Sequence, residues 1–239
     1  MKRYSRKQVA RTLAKYDLDE VEIVLRPDLR LRMMQTADAY ALLDDLIDRD
    51  AGDRGSTRFP YWAETWPSAV GLARWFAGPD APAADLACEL GCGTGLVGVA
   101  LARMGWRIRA TDYVEDALLF ATHNASRNGA GARHSVSYLD WRHPVGAPHR
   151  WLVGSDLAYE KSLHPQLERT VRALLQPGGR LVLSDPGRPA ARPLLDTLEG
   201  AGFRHRVESI EVDWKGVAQS IDIHLFTRPP DGGSQPHRT

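Results

Sequence analysis

The feature that most constrains this 239-residue chain is the stretch Glu89-Leu90-Gly91-Cys92-Gly93-Thr94-Gly95. The apolar run Leu86–Leu90 leads into it as a short strand, and Leu96–Met104 follows as a helix ending at Gly105. Alternate glycines between a strand and a helix let the backbone approach a ligand closely, and a helix N-terminus favours a negative group there. Trp106–Thr111 reads as the next strand. Asp112 ends it about 20 residues past Gly91, where an acid in such folds accepts hydrogen bonds from ribose hydroxyls. The combination implies an open α/β sheet with a nucleoside-containing ligand at the loop.

The flanking sequence keeps the same rhythm. Val114–Asn128 reads as a helix stopping at Gly129, and Ser135–Leu139 and Trp151–Ser155 as the third and fourth strands. His164–Leu175 reads as a helix terminated by Pro177-Gly178-Gly179, Arg180–Ser184 as the fifth strand, and Ala190–Gly200 as a helix. Repeated β-α-β units of these lengths predict a mostly parallel sheet covered on both faces. Arg206–Trp214 and Val217–Thr227 are joined only by Lys215-Gly216, which predicts a C-terminal antiparallel hairpin at one edge.

Residues 1–58 form an N-terminal extension, a possible lid or acceptor-binding segment, with 12 Lys/Arg and 11 Asp/Glu. Within it, 21–25 and 29–33 flank Arg26-Pro27-Asp28 as a hairpin, 36–47 has helical spacing, and 50–57 reads as a loop. All six charges in the first 15 residues are basic, which suits an acidic protein surface or a solvated helix. Residues 59–228 form the nucleotide-binding domain, and the Pro- and Gly-rich stretch 229–239 is expected to be a disordered tail.

Composition removes several classes. The balance of 31 Lys+Arg against 30 Asp+Glu disfavours a dedicated nucleic-acid partner. No run approaches the roughly 18 apolar residues of a membrane span. Met1–Lys15 lacks the apolar core of a secretory signal. Two cysteines, Cys88 and Cys92, are too few for a disulfide framework or a cysteine zinc site, and the histidines show no metal spacing. A cytoplasmic protein with neither a membrane partner nor a metal is expected.

Gly93-Thr94-Gly95-Leu96-Val97-Gly98 also satisfies the dinucleotide signature, which leaves an NAD-type oxidoreductase open. Three features point elsewhere: Glu89 opens an E-x-G-x-G-x-G pattern, Asp140 ends the third strand where it can accept from an adenine amino group, and the terminal strands form a hairpin. With these, residues 59–228 resemble the Rossmann-like class I S-adenosyl-L-methionine-dependent methyltransferases. More narrowly they are similar to methyltransferase family 16, which includes protein-lysine methyltransferases. Four segments carry that likeness: Tyr61-Trp62-Ala63-Glu64-Thr65-Trp66-Pro67-Ser68, Leu139-Asp140-Trp141, Ser155-Asp156-Leu157-Ala158-Tyr159 and Asp185-Pro186-Gly187-Arg188. The last is similar to a segment of the lysine methyltransferases of the electron-transfer flavoprotein β-subunit.

The resemblance implies S-adenosylmethionine as cofactor. Gly91, Gly93 and Gly95 would lie against its methionine and ribose, Glu89 would reach its amino-acid part, and Asp112 its ribose hydroxyls. Asp140 would take the adenine amino group, with Trp141 alongside, and Tyr113 either packs on the ring or is an ordinary loop aromatic. Trp66 would line the site, where an aromatic face attracts the sulfonium cation, or simply pack before a helix with Pro67 in its first turn. Asp156 and Tyr159 follow the fourth strand at the carboxyl edge, where ligands bind in such sheets, and are the expected acceptor-facing pair. Asp185 and Arg188 share that edge or make only a turn. The acceptor is a lysine of a protein or a small N- or O-nucleophile, with a non-catalytic cofactor-binding module as a further alternative. Nucleic-acid amines are disfavoured because residues 155–159 lack the paired prolines of enzymes acting on them.

Overall fold

The computed structural model describes residues 4–49 and 59–230. Ser5 opens α1 (Arg6–Leu13) with a reciprocal capping box to Gln8. β1 (Leu18–Arg26) and β2 (Leu29–Thr36) then form an antiparallel ribbon, longer at both ends than the predicted hairpin. α2 (Ala39–Arg49) follows. The expected loop at 50–57 and most of the expected tail, from 231 on, lie outside the described residues.

A single 3-10 turn at Tyr61–Ala63 leads to α3 (Pro67–Phe76), with Pro at its first position. The alternating strand–helix rhythm comes next: β3 (Leu86–Leu90), α4 (Leu96–Arg103), β4 (Arg107–Asp112), α5 (Glu115–Arg127), β5 (His134–Tyr138), β6 (His149–Ser155), α6 (His164–Leu174), β7 (Leu175–Asp185) and α7 (Arg192–Gly200). The hairpin β8 (Arg204–Trp214) and β9 (Val217–Thr227) ends the described chain. Seven strands form one sheet in the order β5-β4-β3-β6-β7-β9-β8, parallel except at β9, which runs antiparallel to both neighbours. The antiparallel edge is as predicted.

Strand side chains alternate between two apolar clusters. Ala87, Trp151, Val153, Val182 and Ile221 pack with α3, α4 and α5 on one face, while Leu90, Leu152, Leu181, Leu183 and Phe226 pack with α6 and α7 on the other. α4 is buried almost all round, as an apolar helix between two layers must be. α6 buries only Leu167, Thr170, Val171 and Leu174 besides its first residue, a stripe at helical spacing. Ile23, Leu25, Leu31 and Met33 of the ribbon belong to the first cluster, so the ribbon shares the core of the sheet.

One expectation is corrected. Pro177-Gly178-Gly179 does not separate a helix from a strand, because β7 begins at Leu175 directly after α6. Leu175 pairs with His149, and pairing resumes at Arg180 with Trp151, so residues 176–179 form a bulge opposite a single residue. Gly178 adopts φ +72° there, which no β-branched residue would tolerate cheaply.

The chain leaves β3 for β4 and β5 on one side and returns to β6 on the other. That reversal is where open α/β sheets bind ligands, beyond the carboxyl ends of the strands.

Candidate active site

A cavity of about 900 Å³ opens at that reversal. Its floor is the glycine loop. Cys92 N–H donates to Thr111 O of β4 at 2.9 Å, and Gly93 N–H donates to Asp112 Oδ2 at 3.0 Å, binding the loop to the neighbouring strand. Gly93 has φ +51°, and a side chain there would press within 3.2 Å of the Trp62 carbonyl. Gly91, Gly93, Glu89 and Asp112 all line the cavity. Gly95 does not; it precedes α4 at φ +88°, and a Cβ would lie 2.7 Å from that of Ala121. Its glycine is required by packing of α4 on α5.

The acids behind the loop are deeply set. Asp112 accepts Gly93 N–H on one oxygen and Val114 N–H on the other, and burial raises its pKa against the pull of those bonds. Glu89 is 2% exposed, and burial pushes its carboxyl up to about 8. Its Oε2 is buried under α4, where a Cβ on Gly98 would meet it at 2.4 Å and His134 Nε2 at 2.9 Å. Asp140 carries a two-pronged ion pair from Arg142, whose hydrogen bond holds its carboxyl below the usual range. Trp141 follows it, with its ring edge 3.5 Å from where a Gly91 Cβ would be.

Across the switch point lies a second group. Asp156 follows β6 at φ 51°, and its N–H donates to Ser184 O of β7 at 2.7 Å. Its two oxygens accept from Arg188 Nε and Nη2, each at 2.9 Å. Arg188 is set by its own N–H, which donates to Asp185 Oδ1 at 2.9 Å. Buried Leu157 and the contact from His164 Nε2 to Ala158 O at 3.0 Å fix the loop. Tyr159 stands 4.5 Å, ring to ring, from Tyr61, and burial raises its phenol pKa. Phe59 and Trp66 extend that aromatic wall, and Trp66 Nε1 donates to Tyr61 O at 2.8 Å. Trp62 both lines the cavity and packs edge-on against Tyr16 and Phe120.

A family described as lysine methyltransferase matches residues 62–191. The chain belongs to that family. A relative named ribosomal protein L11 methyltransferase, from Thermus thermophilus, is 32% identical over 54% of this chain and 50% of its own. EEF1A lysine methyltransferase 3 of Mus musculus is 30% identical over 53% of this chain and 56% of its own. The chain thus spans about half the length of these curated relatives. Among solved structures, magnesium protoporphyrin IX methyltransferase from Synechocystis with bound SAH matches with a TM-score of 0.52 at 17% identity, over 80% of this chain and all of that one. TrmN from Thermus thermophilus matches with a TM-score of 0.54 at 21% identity, over 72% of this chain and 53% of that one. At such identities both show the fold alone. Family membership decides the choice left open by the Gly93–Gly98 signature, against the oxidoreductase.

In this lysine methyltransferase-family chain, nine of the ten site residues expected from sequence line one cavity. Sequence reasoning missed Phe59, which had no motif, and Tyr61 as a site residue, although it opened a recognised segment. It named Asp156 and Arg188 separately; their pairing spans β6 and β7 and has no linear signal.

Proposed function

We propose that this chain is an S-adenosylmethionine-dependent methyltransferase acting on the side-chain amine of a lysine in an acceptor protein. The observation that carries the reading is the pairing of a clamped carboxylate, Asp156, with the aromatic pair Tyr61 and Tyr159 across the switch point from Asp112 and Asp140. Family membership gives the reaction class.

The cofactor end fits its ligand. Glu89 and Asp112 both line the cavity behind the glycine loop, and the cavity volume suits a nucleoside with an amino-acid arm. Asp112 would hold the ribose, Asp140 with Trp141 the adenine, and Glu89 the amino group, while Trp66 offers a ring face to the positive sulfur. When bound, S-adenosylmethionine supplies an electrophilic methyl group. The residues of this chain do the rest by alignment and by excluding water. Tyr61 and Tyr159 flank the alkyl stem and cationic head of lysine. Asp156 accepts N–H bonds from the amine and orients it as its proton leaves to water. Both cysteines are free and buried, in keeping with a cytoplasmic protein. No described helix is long and apolar enough to cross a membrane.

The test is transfer of labelled methyl from S-adenosylmethionine into a cell lysate, separated into protein and small-molecule fractions. We expect label in protein, and loss of at least about 100-fold in Asp156→Asn with cofactor affinity retained. Label confined to small molecules would contradict the protein acceptor. Loss of cofactor affinity together with turnover would make Asp156 a cofactor or folding residue.

A further inference from the structure

A file of aromatic rings runs from the acceptor end of the cavity to the surface, and the proposed chemistry uses only its inner half. Tyr159 stands 4.5 Å from Tyr61, Tyr61 4.7 Å from Phe59, and Phe59 4.9 Å from Tyr40, ring centre to ring centre. The first three line the cavity, whereas Tyr40 lies outside its lining, in the first turn of α2. Asp38 holds that turn, its Oδ1 accepting Tyr40 N–H at 2.8 Å and Ala41 N–H at 3.1 Å. Tyr40 meets Phe59 edge-on and is still 70% exposed, more than any other aromatic residue described. A ring fixed in place and left bare offers contact area at little further entropic cost.

The charges beside this file are negative. Asp44 is exposed one turn after Tyr40 on α2, and residues four apart on a helix stand on one face. Glu64 lines the cavity from the segment between the Tyr61–Ala63 turn and Trp66, and the proposed chemistry does not use it. The two guanidiniums of the lining, Arg142 and Arg188, are each engaged by an aspartate of the lining, Asp140 and Asp156. A ring face beside a carboxylate suits a cation, which is drawn by the ring quadrupole and by the charge together. Tyr40 with Asp44 therefore makes a second place for a cationic side chain, outside the one that takes the target lysine.

We propose that Tyr40, with Asp44, is a specificity-determining residue that binds an arginine or lysine flanking the target lysine, so that the acceptor is a basic segment laid along the ring file. The inference rests on the lysine-acceptor reading above. Three ring-to-ring steps of 4.5 to 4.9 Å separate Tyr159 from Tyr40. An extended chain covers about 3.3–3.6 Å per residue, which puts the flanking side chain within about four residues of the target. Tyr40, Asp44 and Phe59 precede the family-matched residues 62–191, so family membership leaves this preference open.

The test uses deuterated-methyl S-adenosylmethionine and lysate protein, with mass spectrometry to locate the labelled lysine. We expect an arginine or lysine within about four residues of it. In dilute lysate, Tyr40→Ala should slow labelling about tenfold and Asp44→Lys at least as much. Both should approach the wild-type rate as lysate protein is raised, and Tyr40→Phe, which keeps the ring face, should stay near wild type throughout. S-adenosylmethionine affinity should be unchanged in all three, and thermal melts confirm that these exposed positions leave the fold intact. Changing the flanking basic residue of the identified acceptor to glutamine should cost the wild-type chain the same factor and cost Tyr40→Ala nothing further. A labelled lysine with no basic neighbour in that range, a wild-type rate for folded Tyr40→Ala in dilute lysate, or losses that simply add would overturn the proposal while leaving the acceptor reading in place. Absence of lysine label with the wild-type chain would overturn the acceptor reading and this inference with it.

Discussion

Asp156 is one of two non-glycine residues among the described ones with positive φ, the other being Lys215 at a hairpin tip. Asp and Asn bear the left-handed region better than other side chains, which pay about 1 kcal/mol for it. Asp156→Asn therefore removes the charge while keeping the backbone, and its melting temperature should stay close to wild type; Asp156→Val should melt lower. Asp112 carries two backbone N–H bonds besides its proposed ribose contact. Asp112→Ala should weaken S-adenosylmethionine binding by at least about tenfold in calorimetry. Near-native affinity would remove the ribose assignment. Glu89 gives a pH signature with a definite sign. Burial raises its carboxyl from 4.5 to about 8, so the folded chain binds a proton that the unfolded chain has released. The stability it contributes is full below about pH 4.5 and is lost as pH rises through about 8. Thermal melts from pH 5 to 9 should fall more steeply for wild type than for Glu89→Gln; parallel curves would contradict the assignment.

At the scale of elements, the ribbon is held to the glycine loop by two asparagines one turn apart, Asn124 on α5 and Asn128 at its C-cap. Asn124 accepts Met34 N–H and donates to both Met34 O and Thr94 O, and Asn128 does the same for both polar groups of Arg32. β2 thus finds its edge partner in side chains. Thr65 N–H donates to Gln35 and Thr36 Oγ1 to Ala63 O, tying the end of β2 to the aromatic wall. Asn124→Ala leaves three backbone groups without their partner and should cost about 2–4 kcal/mol. Hydrogen exchange at Met34 should accelerate, and unchanged protection there would refute the clamp. None of this was legible in sequence, because an asparagine on a helix looks the same whether it faces water or a strand edge. The glycine loop, its strand and its helix were legible because each local preference agreed: an apolar run, left-handed glycines, then an apolar helical run that stops at Gly105. Pro177-Gly178-Gly179 misled because the same residues that end helices also make bulges, and only the partner strand decides.

At the scale of the molecule, three layers place the two halves of the cavity on opposite sides of one sheet reversal. Asp112 and Asp140 come from strands reached first, Asp156 and Arg188 from strands reached after the return. Sequence motifs found the first half in detail because each proposed cofactor contact lies near a strand end beside a local signal. They found the second half only as separate residues, since its chemistry depends on a pair 32 positions apart. The near-neutral charge balance and the charged N-terminus say little about this site, whose ionic groups are buried or paired. The central claim is that this cavity delivers a methyl group to a lysine amine. Mass spectrometry of lysate protein after reaction with deuterated-methyl S-adenosylmethionine tests it most directly. The account predicts the label on lysine side chains with the wild-type chain and none with Asp156→Asn; label on another residue type, or undiminished lysine label with Asp156→Asn, would contradict it.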